Sequence, residues 1–229
     1  MRIKRDLNYF SKTEIMLWVS SIALIITSFF IFQSDSYLTL FASVIGTTSL
    51  IFSAKGNPFG QLLMVVFSIF YGIISYSFSY YGEMITYLGM TMPISVFAFI
   101  SWIKNPYENN KAEVRINSLN FKETVFMWIL TIITTVCFYF ILKYFNTSNL
   151  IPSTVSVTTS FLAVYLSYKR SPYFAVAYAC NDIILILLWI LASIENTQYI
   201  SVVVCFISFL INDIYGYINW MRIKRRQSR

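Results

Sequence analysis

Five polar residues stand inside runs that are otherwise apolar. Asn181 and Asp182 interrupt 178-YACNDIILILLW-189, and Asn212, Asp213 and Asn219 interrupt 211-INDIYGYINWMRIKRRQ-227. Amides offer both donors and acceptors, and a carboxylate accepts or takes a proton. At helical spacing Asn212, Tyr215 and Asn219 share one face, and Asp213, Tyr217 and Trp220 share another. Tyr178, Asp182 and Trp189 form a comparable stripe. Aromatic rings beside amides suit a heteroaromatic ring bearing a hydroxylated sugar. The candidate binding residues are therefore Tyr178, Asn181, Asp182, Trp189, Asn212, Asp213, Tyr215 and Asn219, with Gln61, Tyr71 and Tyr87 as weaker counterparts nearer the N-terminus. A plainer role competes for each. Asp213 sits about two turns before a basic block and could pair with Arg222 or Lys169. Asn181 could simply bond a neighbouring helix, and Tyr and Trp also form interfacial belts.

Which solvent surrounds these groups follows from composition. The chain has 229 residues, 57% hydrophobic and 12% charged, with mean hydropathy +0.64. An ordinary soluble domain carries about 25% charged residues, so half the charge needed for a wet surface is missing. The expected fold class is an all-α membrane protein. A helix needs about 20 apolar residues to cross a bilayer, and eight such runs are read, at 14–33, 37–54, 59–79, 84–103, 124–143, 151–168, 173–194 and 199–221. The first run is too long for the apolar region of a signal peptide.

Basic residues collect at the cytoplasmic ends of spans. With eight spans and both termini inside, every Lys and Arg except Lys143 falls on the inner side. The net charge of +7 is thereby mostly a topology signal, and nucleic-acid binding is not expected. The outer loops QSDS, SYYGE, KYFNTSNL and SIENTQ are too short for a domain, as is the longer inner connection 104–122. Function must lie among the spans.

Two pairs of segments repeat. Residues 54-AKGNPFG-60 resemble 168-YKRSPYF-174 at an offset of 114, and 97-FAFISWIK-104 resembles 215-YGYINWMR-222 at an offset of 118. Spans two to four thus correspond to spans six to eight, with span five as a linker, a parallel 3+1+3 plan of a kind used by transporters. The chain divides into 1–36 (N-terminus and extra first span), 37–103 (first triplet), 104–123 (inner loop), 124–150 (linker span), 151–221 (second triplet) and 222–229 (basic tail). Under these offsets Asn181, Asp182 and Asp213 correspond to Phe67, Ser68 and Ser95, so a pocket between the triplets would be asymmetric. Pro58 and Pro172 are candidate hinges and Pro93 a candidate kink.

On the Trp-ended fourth span (SWIKNPYE), the K-x-x-P segment and the closing IYGYINW before a basic tail, the chain resembles the PnuC family of bacterial vitamin transporters, from about residue 37 to 227. The resemblance implies a SWEET-like layout in the bacterial inner membrane, possible homotrimers, and uptake of nicotinamide riboside by facilitated diffusion with alternating access and trapping by phosphorylation in the cytoplasm. Nicotinamide riboside carriers of this family usually show two tryptophans a turn apart before an asparagine early in the seventh span. Here those places hold Phe174, Ala177 and Asn181, so a deoxynucleoside, thiamine or riboflavin stays open as substrate. Other chemistry finds little support. There is no His, the usual neutral-pH base and metal ligand, and no G-x-x-x-x-G-K-[ST] motif. Cys137, Cys180 and Cys205 lack C-x-x-C spacing. No cofactor or metal is expected. The partners expected are a small-molecule substrate and membrane lipids. The rival classes are an intramembrane enzyme using Asp182 and Asp213 as acid and base, and a receptor subunit that binds without transporting.

Overall fold

A computed structural model describes residues 9–32, 36–77, 81–108, 110–147 and 149–229. Arg2, Lys4 and Arg5, and parts of the short loops at 33–36 and 79–83, lie outside the described residues. Among those described, eight helices are long and apolar enough to span a bilayer. In chain order they are Lys12–Ile31, Tyr37–Ala54, Pro58–Ser77, Tyr81–Lys104, Phe121–Tyr144, Leu150–Tyr168, Phe174–Glu195 and Ile200–Gln227, called first to eighth below. Each matches its expected span to within a few residues except at the end of the eighth. That helix continues through the basic block to Gln227, because Arg and Lys are good helix formers and cations are favoured at a helix C-terminus.

Local chemistry sets the other ends. Ser11 and Glu14 form a capping box on the first helix, each side chain bonding the other's backbone N–H. Asn120 and Glu123 do the same for the fifth. The third helix begins at Pro58, where a missing N–H costs nothing. Inside the fourth, residues Tyr87–Thr91 form a π turn, with the Met92 N–H reaching back five residues to the Tyr87 carbonyl. Pro93 follows directly. It has no N–H and crowds the carbonyl four residues earlier, and the widened turn relieves that clash. The π turn lies where the sequence suggests a kink.

The second, third and fourth helices pack together, as do the sixth, seventh and eighth. These two triplets meet where the second helix lies on the eighth and the fourth on the sixth. The first helix leans on the eighth and second, and the fifth on the sixth. The fifth turns Phe126, Trp128, Ile132 and Phe140 outward, as a lipid-facing helix should.

Lys55, Lys104, Lys169 and Arg222 mark one end of the bundle, called the basic end. The connection after the fourth helix crosses that end. It forms a small antiparallel hairpin, Pro106–Tyr107 with Asn110–Val114, and bonds to both triplets. Val114 N–H donates to the Gly56 carbonyl at 2.9 Å, and Asn117 N–H to the Arg170 carbonyl at 3.0 Å. Gln227 donates to Glu113 and accepts from Ile116 N–H, and Arg226 pairs with Glu113.

Candidate binding site between the two triplets

At the basic end the triplets hold each other by a reciprocal set of hydrogen bonds. Trp102 Nε1 donates to the Ser167 carbonyl at 2.8 Å, and Trp220 Nε1 donates to the Ser53 carbonyl at 2.8 Å. Ser101 Oγ donates to the Tyr168 carbonyl at 3.0 Å, and Asn219 Nδ2 to the Ala54 carbonyl at 2.8 Å. The donors are 118 positions apart and the acceptors 114, the offsets that relate the sequence motifs. The acceptors are carbonyls at helix C-termini, which lack partners within their own helix. Both indoles are fully buried, their rings 5.2 Å apart, with Phe174 set edge-on against them.

Beyond this clasp, near mid-bundle, a small cavity of about 30 Å³ separates the triplets. In this conformation it has room for about two waters, and a solute that fills a site of about 300–1,000 Å³ would have to part the two triplets. Leu50, Met64, Phe67, Tyr87 and Thr91 line it from the first triplet, and Ser160, Tyr178, Asn181, Asp182, Leu185, Phe206, Phe209 and Asp213 from the second. The rings form a continuous wall. Phe67 lies 6.0 Å from Tyr87 and 5.7 Å from Phe209, Phe206 lies 5.6 Å from Phe209, and Tyr71 backs Tyr87 at 4.5 Å. The π turn delivers Tyr87 and Thr91 to this wall.

The polar groups are set by their neighbours. Asn181 Oδ1 accepts from Ser156, Thr159 and Ser160 of the sixth helix, at 3.2, 2.9 and 3.0 Å. That fixes the carboxamide plane and leaves its NH2 as the donor edge. The Ser/Thr-rich character of the sixth span, the least apolar of the eight, thereby has a use. Asp182 and Asp213 are both buried and both line this cavity. Asp213 does not pair with Lys169 or Arg222, as its distance from the basic block had suggested. Lys169 binds Glu123 at 3.0 Å, Lys55 binds Glu14 at 3.3 Å and Arg226 binds Glu113. Burial pulls the Lys169 ammonium down and its Glu123 bond pushes it up, with a net upward shift.

Other sequence candidates lie elsewhere. Asn212 donates to Ser21 on the first helix at 2.9 Å and to the Ser208 carbonyl at 2.7 Å. Tyr215 donates to Glu14 at 2.9 Å. Asn219 belongs to the clasp. The stripe Asn212–Tyr215–Asn219 is thus one face, but it is covered by the first and second helices and not by the cavity. Gln61 donates to Ser53 at 3.3 Å and also stays out of the cavity. Trp189 lines a second cavity towards the end away from the basic residues, with Glu83, Ser153 and Glu195. A third, small cavity lined by Glu83, Ser153, Ser156, Tyr87 and Ser160 lies between that one and the centre.

Sequence reasoning passed over Glu14, Glu83 and the hydroxyls that hold Asn181. An S-x-x-E spacing such as that at 11–14 is a signal for a helix start, and it carries no hint of the burial of Glu14 under Lys55 and Tyr215.

Residues 36–222 match the family model described as nicotinamide mononucleotide transporter. This chain belongs to that family, known as PnuC. Two relatives named as the nicotinamide riboside transporter PnuC are similar to it. The one from Neisseria mucosa is 26% identical over 203 residues, covering 87% of this chain and 77% of the relative. The one from Haemophilus influenzae is 21% identical over 197 residues, covering 84% and 82%. The crystal structure of the vitamin B3 transporter PnuC superposes with a TM-score of 0.82 at 24% identity, covering 95% of this chain and 94% of that one. The PnuC fold and a multi-pass membrane setting follow.

Proposed function

We infer that this protein takes up nicotinamide riboside, or a closely related pyridine nucleoside, across the bacterial cytoplasmic membrane. Membership of the PnuC family and the names of its relatives support transport of such a solute. The observation that carries the choice within the family is the cavity itself, ringed by Phe67, Tyr87, Tyr178, Phe206 and Phe209, with the Asn181 amide and the acid pair on one side. Aromatic faces stack a pyridine ring, and an amide donor with carboxyl acceptors suits ribose hydroxyls and a carboxamide. No Lys or Arg lines the cavity, so the unphosphorylated nucleoside fits better than a mononucleotide, whose phosphate would meet only carboxyl groups.

Transport proceeds by alternating access without an energy source, and phosphorylation in the cytoplasm retains the product. The two triplets act as a parallel repeat with both termini inside, a layout supported by the reciprocal tryptophan bonds and the clustering of cations at one end. In this conformation the clasp closes the cytoplasmic side, and the cavities lined by Glu83 lie on the outer side. Rocking one triplet against the other would break the clasp and close the outer cavities. Assembly as a trimer belongs to the same proposal and is checked by the mass of the solubilised complex.

Uptake of labelled nicotinamide riboside into proteoliposomes containing the full chain tests the function. Saturable uptake, competed by unlabelled nucleoside, is expected. Binding without uptake would instead favour the receptor-subunit reading, and selective uptake of thiamine or riboflavin would replace the substrate.

A further inference from the structure

The largest of the described cavities shares no lining residue with the three between the triplets. It measures about 500 Å³ and opens sideways past Trp128, Tyr173 and Val176, which are 51%, 52% and 39% exposed. Met127 and Trp128 of the fifth helix, Leu162 and Leu166 of the sixth, and Val176 and Ala177 of the seventh make its apolar walls. Leu162 stands about 9 Å in from the end of its helix. The polar residues gather at the basic end: Asn117 and Ser118 of the connection, Ser171 after the sixth helix, and Lys224 in the last turn of the eighth. The frame around them is fixed. Ser171 N–H donates to the Leu166 carbonyl at 3.0 Å, Asn117 N–H to the Arg170 carbonyl at 3.0 Å, and Ile116 N–H to Gln227 at 2.8 Å. A recess open to hydrocarbon takes up hydrocarbon, since an empty one forfeits the dispersion contacts of its walls. The rim adds a charge to this. Among the described residues no Asp or Glu lines the recess. Glu14, Glu123 and Glu113 hold Lys55, Lys169 and Arg226, and no described acid is bonded to Lys224. A cation on a polar rim above an apolar slot matches a molecule with an anionic head and an acyl tail.

We propose that this recess binds one anionic phospholipid from the leaflet at the basic end. An acyl chain lies between the fifth and seventh helices against Leu162 and Leu166, and the phosphate meets the Lys224 ammonium beside Ser171 and Asn117. A zwitterionic lipid brings its own cation to the same rim and loses that advantage. The lining joins the inner connection, the fifth helix and the Ser171–Pro172–Tyr173 turn that leads into the seventh. A bound lipid therefore braces the second triplet against the fifth helix. The site does not depend on which solute the protein carries.

The test uses the full chain, solubilised and stripped of lipid, with phosphatidylglycerol and phosphatidylcholine of identical acyl chains as probes. Native mass spectrometry is expected to show one tightly held phosphatidylglycerol per chain. It should bind about fivefold more tightly than phosphatidylcholine, the preference that one cation near a headgroup supplies, and should raise the unfolding temperature more. Lys224→Gln should bring the two lipids level. Arg225→Gln, which removes an exposed cation outside the recess, should keep the preference. Val176→Trp fills the slot from its open side and should abolish tight retention of both lipids, with thermal unfolding showing that each variant is folded. Equal retention of the two lipids by the wild-type protein would overturn the proposal, as would a folded Lys224→Gln variant that kept the preference. Loss of the preference in Arg225→Gln alone would place the contact on the basic tail and would also overturn it. A wild-type oligomer that retained no lipid and came apart on Val176→Trp would replace the lipid by a second copy of the chain. None of these measurements involves the transported solute, so the transport reading stands or falls separately.

Discussion

The two triplets meet twice, and the two meetings differ in kind. At the basic end each triplet gives a tryptophan to the other, Trp102 to the Ser167 carbonyl and Trp220 to the Ser53 carbonyl, with near-identical distances. At mid-bundle the contributions diverge. Asn181, Asp182 and Asp213 face Phe67, Thr91 and Met64 across the cavity. The clasp needs only a backbone carbonyl at a helix end, which every helix supplies, so symmetry there comes at no cost to function. A site for an asymmetric molecule gains nothing from matching walls. The two triplets are alike where they grip and unlike around the cavity.

That contrast can be broken by paired substitutions. Trp102→Ala and Trp220→Ala should each cost about 3–5 kcal/mol of stability, and by similar amounts, measured as the fall in apparent unfolding temperature of the purified protein. Unequal losses would show that the clasp is not two-fold in energy. The next largest effect is expected at the cavity. Asn181→Leu should weaken substrate binding by about tenfold or more, as loss of a buried hydrogen-bonding group does. Its unfolding temperature should change little, since Ser156, Thr159 and Ser160 can return to carbonyls of their own helix. Phe67→Leu, at the matching position, should weaken binding less, and a reversed order measured by calorimetry would invert the assignment of the two walls. Gly46→Ala should push the Phe209 ring, which would clash with the new methyl group, into the cavity. A loss of about 1–3 kcal/mol shared between stability and binding is expected. The smallest effects belong to the face under the first helix. Asn212→Leu and Tyr215→Phe should each cost less than about 2 kcal/mol of stability and leave the dissociation constant unchanged. A rise in that constant would return those residues to the site.

The sequence was most readable where one residue type answered to lipid alone. Runs of Ile, Leu, Val and Phe located eight helices, and the motifs around Trp102 and Trp220 suggested a repeat without revealing that the indoles reach across to the other triplet. It was least readable where a polar group had to choose a neighbour. Periodicity placed Asn212, Tyr215 and Asn219 on one face, but the first helix, which has no counterpart in the triplets, supplied Ser21 and Glu14 to cover it. Asp213 looked close enough to Arg222 to pair with it. The eighth helix stays regular through Gln227, which carries the cations away along the axis while Asp213 faces the seventh helix. Spacing along a chain says which residues share a side, and only packing says what lies opposite.

The connection beneath the basic end sets a limit on movement. Val114 is tied to the loop after the second helix and Asn117 to the loop after the sixth, and these helices belong to different triplets. Only Arg115 and Ile116 lie between the two anchor points, a stretch of chain that reaches about 10 Å when fully drawn out. The two triplets are thus on a short leash at the basic end. Any wide opening there must first peel the connection off one of its moorings.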